Sequence, residues 1–450
     1  MNPRFTLALC LLFPAMTPAS QAADRPNILL ILADDQTWHD VGCYGNKDVR
    51  TPNIDRLAGQ GMRFTHAFTA TAMCAPTRAQ LYTGLFPVRN GAYPNHSRVY
   101  KGTKSIVHYL KALGYRVGLA GKKHFGPPAS FPFETVPPRA LARFINRAAT
   151  QPYCLIVASH SPHLPWTQGD ARAYDPDKLT LPPYLVDTPE TRQALTRYYA
   201  EITDFDREVG ECLTLVEKSG QANNTLFLYT SEQGAQFPRC KWTCYDTGLR
   251  TAFVVRWPGK VQPGAVSDAM IQYVDVVPTL IEAAGGTPPK ELDGKSFLPV
   301  LLGKADKHRE VVYGVHTTRG IIQGSACYPI RSIRTRTHKY IWNLKAEEKF
   351  QNVLTAGRDR GGYWLSWVAK AKTDDRAARF VTGYQQRPAE ELYDLSADPY
   401  ELNNLAEDPR HRELKEKLRK QLLSWMEQQG DRGIETELQA NSRQGKQNRE

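Results

Sequence analysis

Cys74, Pro76 and Arg78 form a Cys-x-Pro-x-Arg group within Met73-Cys74-Ala75-Pro76-Thr77-Arg78, which runs on through Leu81-Tyr82-Thr83-Gly84. Proline in the first turn of a helix costs little, because the N–H it lacks has no intrahelical partner there. A helix beginning at this point sets a small nucleophile at its positive end and returns the Arg78 guanidinium to the same face one turn later. Helix end and guanidinium together suit an anionic substrate. The plain alternative is a buried structural cysteine beside a turn.

Further polar groups close apolar runs. Residues 26–33 read as a fully buried parallel strand ending in Asp34-Asp35. Residues 115–120 read as a strand running into Gly121-Lys122-Lys123-His124, and residues 155–158 as one ending in Ser159-His160-Ser161-Pro162-His163. Residues 225–230 deliver Ser231-Glu232-Gln233-Gly234, with Lys241 following. Ligands of open α/β sheets collect at the carboxyl ends of the strands, so these groups are expected on one rim. The oxygens of Asp34, Asp35, Glu232 and Gln233 suit a hard divalent cation, with Ca2+ the natural choice. Arg78, Lys122, His124, His163 and Lys241 can surround a tetrahedral anion while the metal polarises one of its oxygens. Each alone has an ordinary structural explanation: a solvated lysine, a satisfied histidine, a carboxylate capping a turn. Their convergence argues for chemistry.

The Cys74–Gly84 stretch resembles the signature of the type I sulfatases, within the alkaline-phosphatase-like superfamily, and the resemblance extends over nearly the whole mature chain. It implies that a maturation enzyme oxidises Cys74 to formylglycine, which then works as an aldehyde hydrate. It also implies that Asp34, Asp35, Glu232 and Gln233, with residue 74, hold one Ca2+. Arg78 and His124 would hold the hydrate, Lys122 and Lys241 the sulfate oxygens, and His163 or Lys241 would assist the leaving group. One hydroxyl of the hydrate attacks sulfur and the second lets sulfate leave, which is covalent catalysis with a built-in release step.

Two departures stand out. Tyr82 replaces a usually aliphatic residue, and Glu232-Gln233 stands where the family has Asp followed by Asn or His, so both side chains are a methylene longer. Within the family, Gly121-Lys122-Lys123-His124-Phe125-Gly126-Pro127 resembles the lysine motif of the heparan N-sulfatase (N-sulfoglucosamine sulfohydrolase) group. Tyr328-Pro329-Ile330-Arg331-Ser332, Glu391-Leu392-Tyr393-Asp394 and residues 398–406 are similar too. The implied substrate is a sulfated saccharide, specifically N-sulfoglucosamine of heparan or heparin type. Open alternatives are an O-sulfated polysaccharide, a phosphate or phosphonate ester, and a non-catalytic polyanion-binding role. Loops 91–100, 165–189 and 320–334 are expected to shape the pocket, with Tyr93, His96 and Arg331 as candidate sugar contacts.

The elements that must position these groups follow from the remaining pattern. Strands alternating with helices, including an amphipathic helix through Leu195, Tyr198, Ile202, Phe205, Val209, Cys212 and Val216, predict a doubly wound α/β domain over residues 24–310. Its implied form is an alkaline-phosphatase-like sandwich built on a large mixed, mainly parallel sheet. Residues 311–430 read as a smaller antiparallel-sheet subdomain, carrying strands at Tyr328–Arg334 and Lys339–Trp342 and a helix stripe of Leu414, Leu418, Leu422, Trp425 and Met426. Residues 431–450 are polar and expected to be frayed.

The 450 residues, 41% of them hydrophobic, can bury a sizeable core. Residues 1–22 read as a secretory signal peptide: Arg4, the apolar run Phe5–Ala15, then Ser20-Gln21-Ala22. That run is too short to span a bilayer, so an exported, periplasmic or secreted protein is expected. The formal net charge of +12 favours polyanionic partners. Export and the lack of an aromatic-basic recognition motif argue against nucleic acid. Apart from Cys10 and Cys74, the cysteines are Cys43, Cys154, Cys212, Cys240, Cys244 and Cys327. Pairing is permitted in an exported chain, and Cys240 and Cys244 are close enough in sequence to bridge.

Overall fold

The structure, a computed structural model, describes residues 25–147, 150–358 and 362–444. The expected signal peptide, residues 1–22, lies outside them. Strand β1 (Asn27–Ala33) is buried along its whole length. Its alternate residues feed opposite faces: Ile28, Leu30 and Leu32 join one core cluster, while Leu29, Ile31 and Ala33 join another. That two-sided burial is what an unbroken apolar run encodes. Each Leu or Ile so buried contributes roughly 1.5–3 kcal/mol.

Around β1 lie β2 (Met62–Phe68), β3 (Arg116–Gly121), β4 (Glu134–Thr135), β5 (Tyr153–Ala158), β6 (Thr225–Ser231), β7 (Arg250–Arg256), β8 (Ala265–Ser267) and β9 (Ile271–Gln272), in the order β4-β3-β5-β1-β6-β7-β2-β8, with β9 also on β2. From β4 to β6 every pairing is parallel. β7 runs antiparallel to both β6 and β2. The sheet is therefore mixed and mainly parallel, and the carboxyl ends of β1, β3, β5 and β6 share one edge. The helix Pro189–Lys218 covers one face, its N-terminus capped by Thr188, whose hydroxyl accepts from the N–H of Thr191.

A second, antiparallel sheet contains β10 (Val312–His316), β11 (Ile330–Arg334), β12 (His338–Asn343) and β13 (Glu390–Asp394). The helix Arg412–Gln428 packs Leu418, Leu422, Trp425 and Met426 into the cluster over this sheet. β2 and β10, and the helices Tyr363–Lys370 and Asp375–Gln385, were not marked by the sequence pattern.

Residues 431–444 are folded, contrary to the expectation of a frayed tail over 431–450, of which residues 445–450 lie outside the described residues. They form a helix, Ile434–Gln439, and a closing turn, Ala440–Arg443. Individual polar anchors hold them in place of an apolar stripe. Asp431 is buried against Arg331, and Glu437 accepts from the N–H of Thr318 at 2.9 Å. Among the described residues every cysteine is a free thiol. Cys240 faces Tyr184 and Thr247 whereas Cys244 faces Ser332, so the two do not bridge.

Candidate active site

Cys74 opens a ten-residue helix, Cys74–Thr83, that is buried on every side. Gly84 closes it at φ 69°, donating its N–H to Gln80. Burial all round explains why this helix shows no polar face. The helix directs the Cys74 thiol at the end of β1, with Sγ 3.9 Å from Asp34 Oδ1. One turn on, Arg78 lies fully buried. Its Nε donates to Glu232 Oε1 at 2.8 Å, Nη2 donates to the same oxygen, and Nη1 donates to the Lys122 carbonyl at 3.0 Å.

Lys122 reaches the rim through a turn that requires glycine. Gly121 sits at φ +86°, and a Cβ there would run into the carbonyl oxygen of Ala158. The Lys122 ammonium pairs with Asp34 and lies 3.5 Å from Glu232. His124 Nε2 stands 2.8 Å from His96 Nδ1. From the far side, Lys241 donates to Asp35 Oδ2 at 2.5 Å, and His163 Nε2 lies 3.5 Å from the same oxygen. Gln233 Nε2 donates to Asp35 Oδ1 at 2.6 Å and approaches Cys74 Sγ at 3.5 Å.

The electrostatics follow from packing charges out of water. Burial and Glu232 push the Asp34 carboxyl well above the usual carboxylate range. Burial also opposes the charge on Glu232, but Arg78 and Lys122 outweigh it and hold that carboxyl well below the range. Lys241 and burial oppose a proton on His163, while Asp35 and the Cys74 thiol outweigh them and hold the imidazole up at about 9. Burial, followed by Lys122, pushes His124 down to about 4, and burial with His124 does the same to His96.

Asp34, Asp35, Glu232 and Gln233 fit a hard divalent cation on their own chemistry. Buried oxygens Glu232 Oε2 and Gln233 Oε1 have no hydrogen-bond partner. Such orphans call for an explanation, and an oxygen-binding ion supplies one. Ligand atoms of Asp34, Cys74 and His163 also lie within 4.8 Å of one another.

The group opens into a cavity of about 860 Å³, whose wall includes His96, His160, Gln168, Trp242 and Ile322. Asp34, Cys74, Lys122, His124, His163 and Lys241 line it. The sequence-predicted sugar contacts divide. His96 is on the wall, whereas Tyr93 is packed in the core cluster around Phe86 and Val315. Arg331 is fully buried and bound to Asp431, Nη2 to Oδ1 at 2.9 Å, because β11 turns its side chain toward the tail. Neither Tyr93 nor Arg331 faces the cavity, so both are corrected to structural residues.

Three residues were missed. Asn95 accepts from the Ala75 N–H at 3.4 Å. His160 lies in the wall and was visible only as a neighbour of His163. Glu201 accepts from the N–H groups of Thr167 and Gln168 at 2.9 and 3.2 Å and from the Ser161 hydroxyl at 3.2 Å. A carboxylate on the buried face of an amphipathic helix was the available signal for Glu201.

Residues 26–136 and 138–286 match the family model described as Sulfatase, and residues 239–353 match N-sulphoglucosamine sulphohydrolase, C-terminal. The chain is 37% identical over 435 residues to an ulvan-active sulfatase of Formosa agariphila, covering 92% of this chain and 82% of that relative. It is 30% identical over 475 residues to human N-sulphoglucosamine sulphohydrolase, covering 89% and 90%. A solved structure in complex with its substrate D-glucosamine-2-N,6-O-disulfate superposes with a TM-score of 0.70 at 21% identity, covering 91% of this chain and 99% of that one. The phosphonate monoester hydrolase of Agrobacterium radiobacter shares the fold at a TM-score of 0.70 and 20% identity, covering 90% and 96%.

Proposed function

The chain belongs to the sulfatase family, and we propose that it is an exported enzyme releasing sulfate from a sulfated saccharide, specifically the sulfamate of N-sulfoglucosamine. The observation that carries this reading is the convergence of Cys74 with Lys122, Lys241 and His163 on one cavity, with Arg78 buried behind them against Glu232 and the Lys122 carbonyl. Residues 239–353, which match the N-sulphoglucosamine sulphohydrolase model, support the choice of sugar.

Lys122 and Lys241 reach the rim from opposite sides, each anchored on an acid, so a tetrahedral anion above Cys74 meets an ammonium on both flanks. Arg78 is held by Glu232 and faces inward, fixing the floor on which residue 74 stands. His163 is the most exposed of these groups, with 35% of its side chain accessible. Its Nδ1 lies 2.6 Å from the Leu164 carbonyl, which leaves Nε2 directed inward to donate a proton to the leaving nitrogen or oxygen. Overall, the S–N or S–O bond breaks, water supplies the oxygen that ends on sulfur, and the departing group takes up a proton.

Cys74 as encoded is a thiol. Formylglycine at this position, installed by a maturation enzyme, supplies a hydrated aldehyde whose two hydroxyls serve as nucleophile and as means of release. Asp34, Asp35, Glu232 and Gln233 would hold Ca2+, which supplies Lewis-acid polarisation of the sulfate. Intact mass of the purified protein should show a loss of about 18 Da at residue 74 relative to the thiol.

The substrate is tested with a panel of sulfated mono- and disaccharides that includes N-sulfoglucosamine, alongside a phosphate and a phosphonate monoester, assayed for released anion. Sulfate release from N-sulfoglucosamine is expected. Turnover of O-sulfated members alone would overturn the choice of sugar and leave the sulfatase reading intact, and turnover of the phosphorus esters alone would overturn both.

A further inference from the structure

Beyond the helix Arg412–Gln428 the chain returns along the antiparallel sheet to the catalytic domain. Glu437 accepts from the backbone N–H of Thr318 and from its hydroxyl, just past β10. The closing turn then lays Arg443 and Gln444 on residues 91–100. Arg443 Nε donates to the Gly91 carbonyl at 3.0 Å and Nη2 to the Arg98 carbonyl at 2.8 Å, with the guanidinium 4.1 Å from the Tyr100 ring. Gln444 Nε2 donates to the Asn95 carbonyl at 2.9 Å, and Ser97 and Gln444 form an antiparallel bridge.

Of the residues so held, Asn95 stands on the wall of the catalytic cavity, and Gly91, Ser97, Arg98 and Tyr100 flank it in the same loop. Asn95 and His96 line the cavity, as do Gly320, Ile321 and Ile322, and the two segments are tied by the Asn95 N–H donating to the Arg319 carbonyl at 3.0 Å. A Cβ on Gly320, at φ +82°, would meet the Asn95 carbonyl and the Gln444 amide, so glycine lets the two wall segments and Gln444 meet there. His96 sits at φ 57°, a left-handed conformation that persists in a non-glycine residue only where its surroundings enforce it. Lys122, His163 and Lys241, by contrast, stand on the loops after β3, β5 and β6, and Cys74 and Arg78 on the helix Cys74–Thr83; the wall touches this group through Asn95, which accepts from the Ala75 N–H at 3.4 Å, and His96, 2.8 Å from His124.

Resting on the sulfatase reading, we propose that Arg443 and Gln444 are positioning residues for saccharide binding: residues 431–444 form a strap that fixes Asn95-His96 and the Gly320–Ile322 loop as the wall receiving the sugar, while the sulfate cradle is carried by other elements, the loops after β3, β5 and β6 and the Cys74 helix. A saccharide needs that wall. A small aryl sulfate, seated by its sulfate alone, does not.

The test compares the parent with Arg443→Ala and Arg443→Lys in steady-state kinetics on the saccharide the parent hydrolyses and on 4-nitrophenyl sulfate, with melting temperatures measured alongside. Arg443→Ala should raise KM for the saccharide about tenfold with kcat within about twofold, and leave both parameters for the aryl sulfate unchanged. Arg443→Lys, which keeps a donor for one carbonyl, should recover part of the loss. An unchanged saccharide KM in Arg443→Ala overturns the proposal. So does an equal loss on both substrates, at any melting temperature, since the strap would then support the whole site. A parent releasing sulfate from neither substrate overturns the sulfatase reading and this proposal with it.

Discussion

Glu232 shows how much one side chain carries at this site. Oε1 receives two hydrogen bonds from Arg78, while Oε2 is buried without a partner. Glu232→Gln keeps the shape and removes the charge, leaving the guanidinium buried without its counter-ion. Breaking a pair of this kind costs about 3–5 kcal/mol, so denaturant unfolding should show a loss of that order. A loss under about 1 kcal/mol would put the pair's structural role in doubt. The orphaned oxygens also make metal removal a stability experiment. Chelation should lower the melting temperature and added Ca2+ should restore it, with ligand at a hundred times its dissociation constant contributing about 2.7 kcal/mol. No change on chelation would argue against a cation among these acids. At this scale the sequence was legible where polar residues close an apolar strand, as Asp34, Lys122 and Glu232 do. Tyr93 and Arg331 misled because a Tyr or Arg in a loop or strand carries no mark of the direction its side chain takes.

The loop Ser161–Gln168 carries His163, and Glu201 of the long helix fastens it through two N–H groups and a hydroxyl. Glu201 also lines the cavity wall, so Glu201→Ala frees the loop and trims that wall while leaving the floor of Cys74 and Arg78 in place. Misplacing a catalytic group by an ångström can cost up to about a hundredfold in rate, so kcat should fall about tenfold or more while the fold remains cooperative. An unchanged kcat would show that His163 is held some other way. Elements with a strong period were readable: β1 from its apolar run, and the helix Pro189–Lys218 from its stripe. β2 was not, because Met62-Arg63-Phe64-Thr65-His66 mixes charge with apolar residues and its pairing with β7 shifts register between Phe64 and Ala67. Residues 431–444 were misread because Asp431, Glu437 and Arg443 anchor them singly, and composition cannot distinguish such anchors from solvated charges.

Across the whole molecule, the parallel edge brings separate strand ends to one cavity, and the antiparallel sheet buttresses that domain through buried ion pairs. Asp275, ahead of the helix Val276–Ala283, accepts from Arg309 Nε at 2.6 Å, just upstream of β10, and from the N–H groups of Gln272 and Lys295 at 2.9 Å. Burial opposes its charge, but Arg309 and His308 outweigh that and hold the carboxyl well below the usual range. A depressed folded-state pKa stabilises above the unfolded value, near about 4, and the stability is lost as pH falls through the folded value. Asp275→Asn should therefore cost about 3–5 kcal/mol near neutrality. The deficit should be about 1 kcal/mol smaller at about pH 3, and an equal deficit at both would contradict the charge-based account. Among the described residues no helix is long and apolar enough to cross a membrane.

The central claim is that residue 74 performs the reaction at the floor of this cavity. Sulfate released from N-sulfoglucosamine by the parent and by Cys74→Ala, prepared identically and shown to be folded, tests it most directly. Release by the parent and none by the variant is the predicted result; equal release by both would contradict the account.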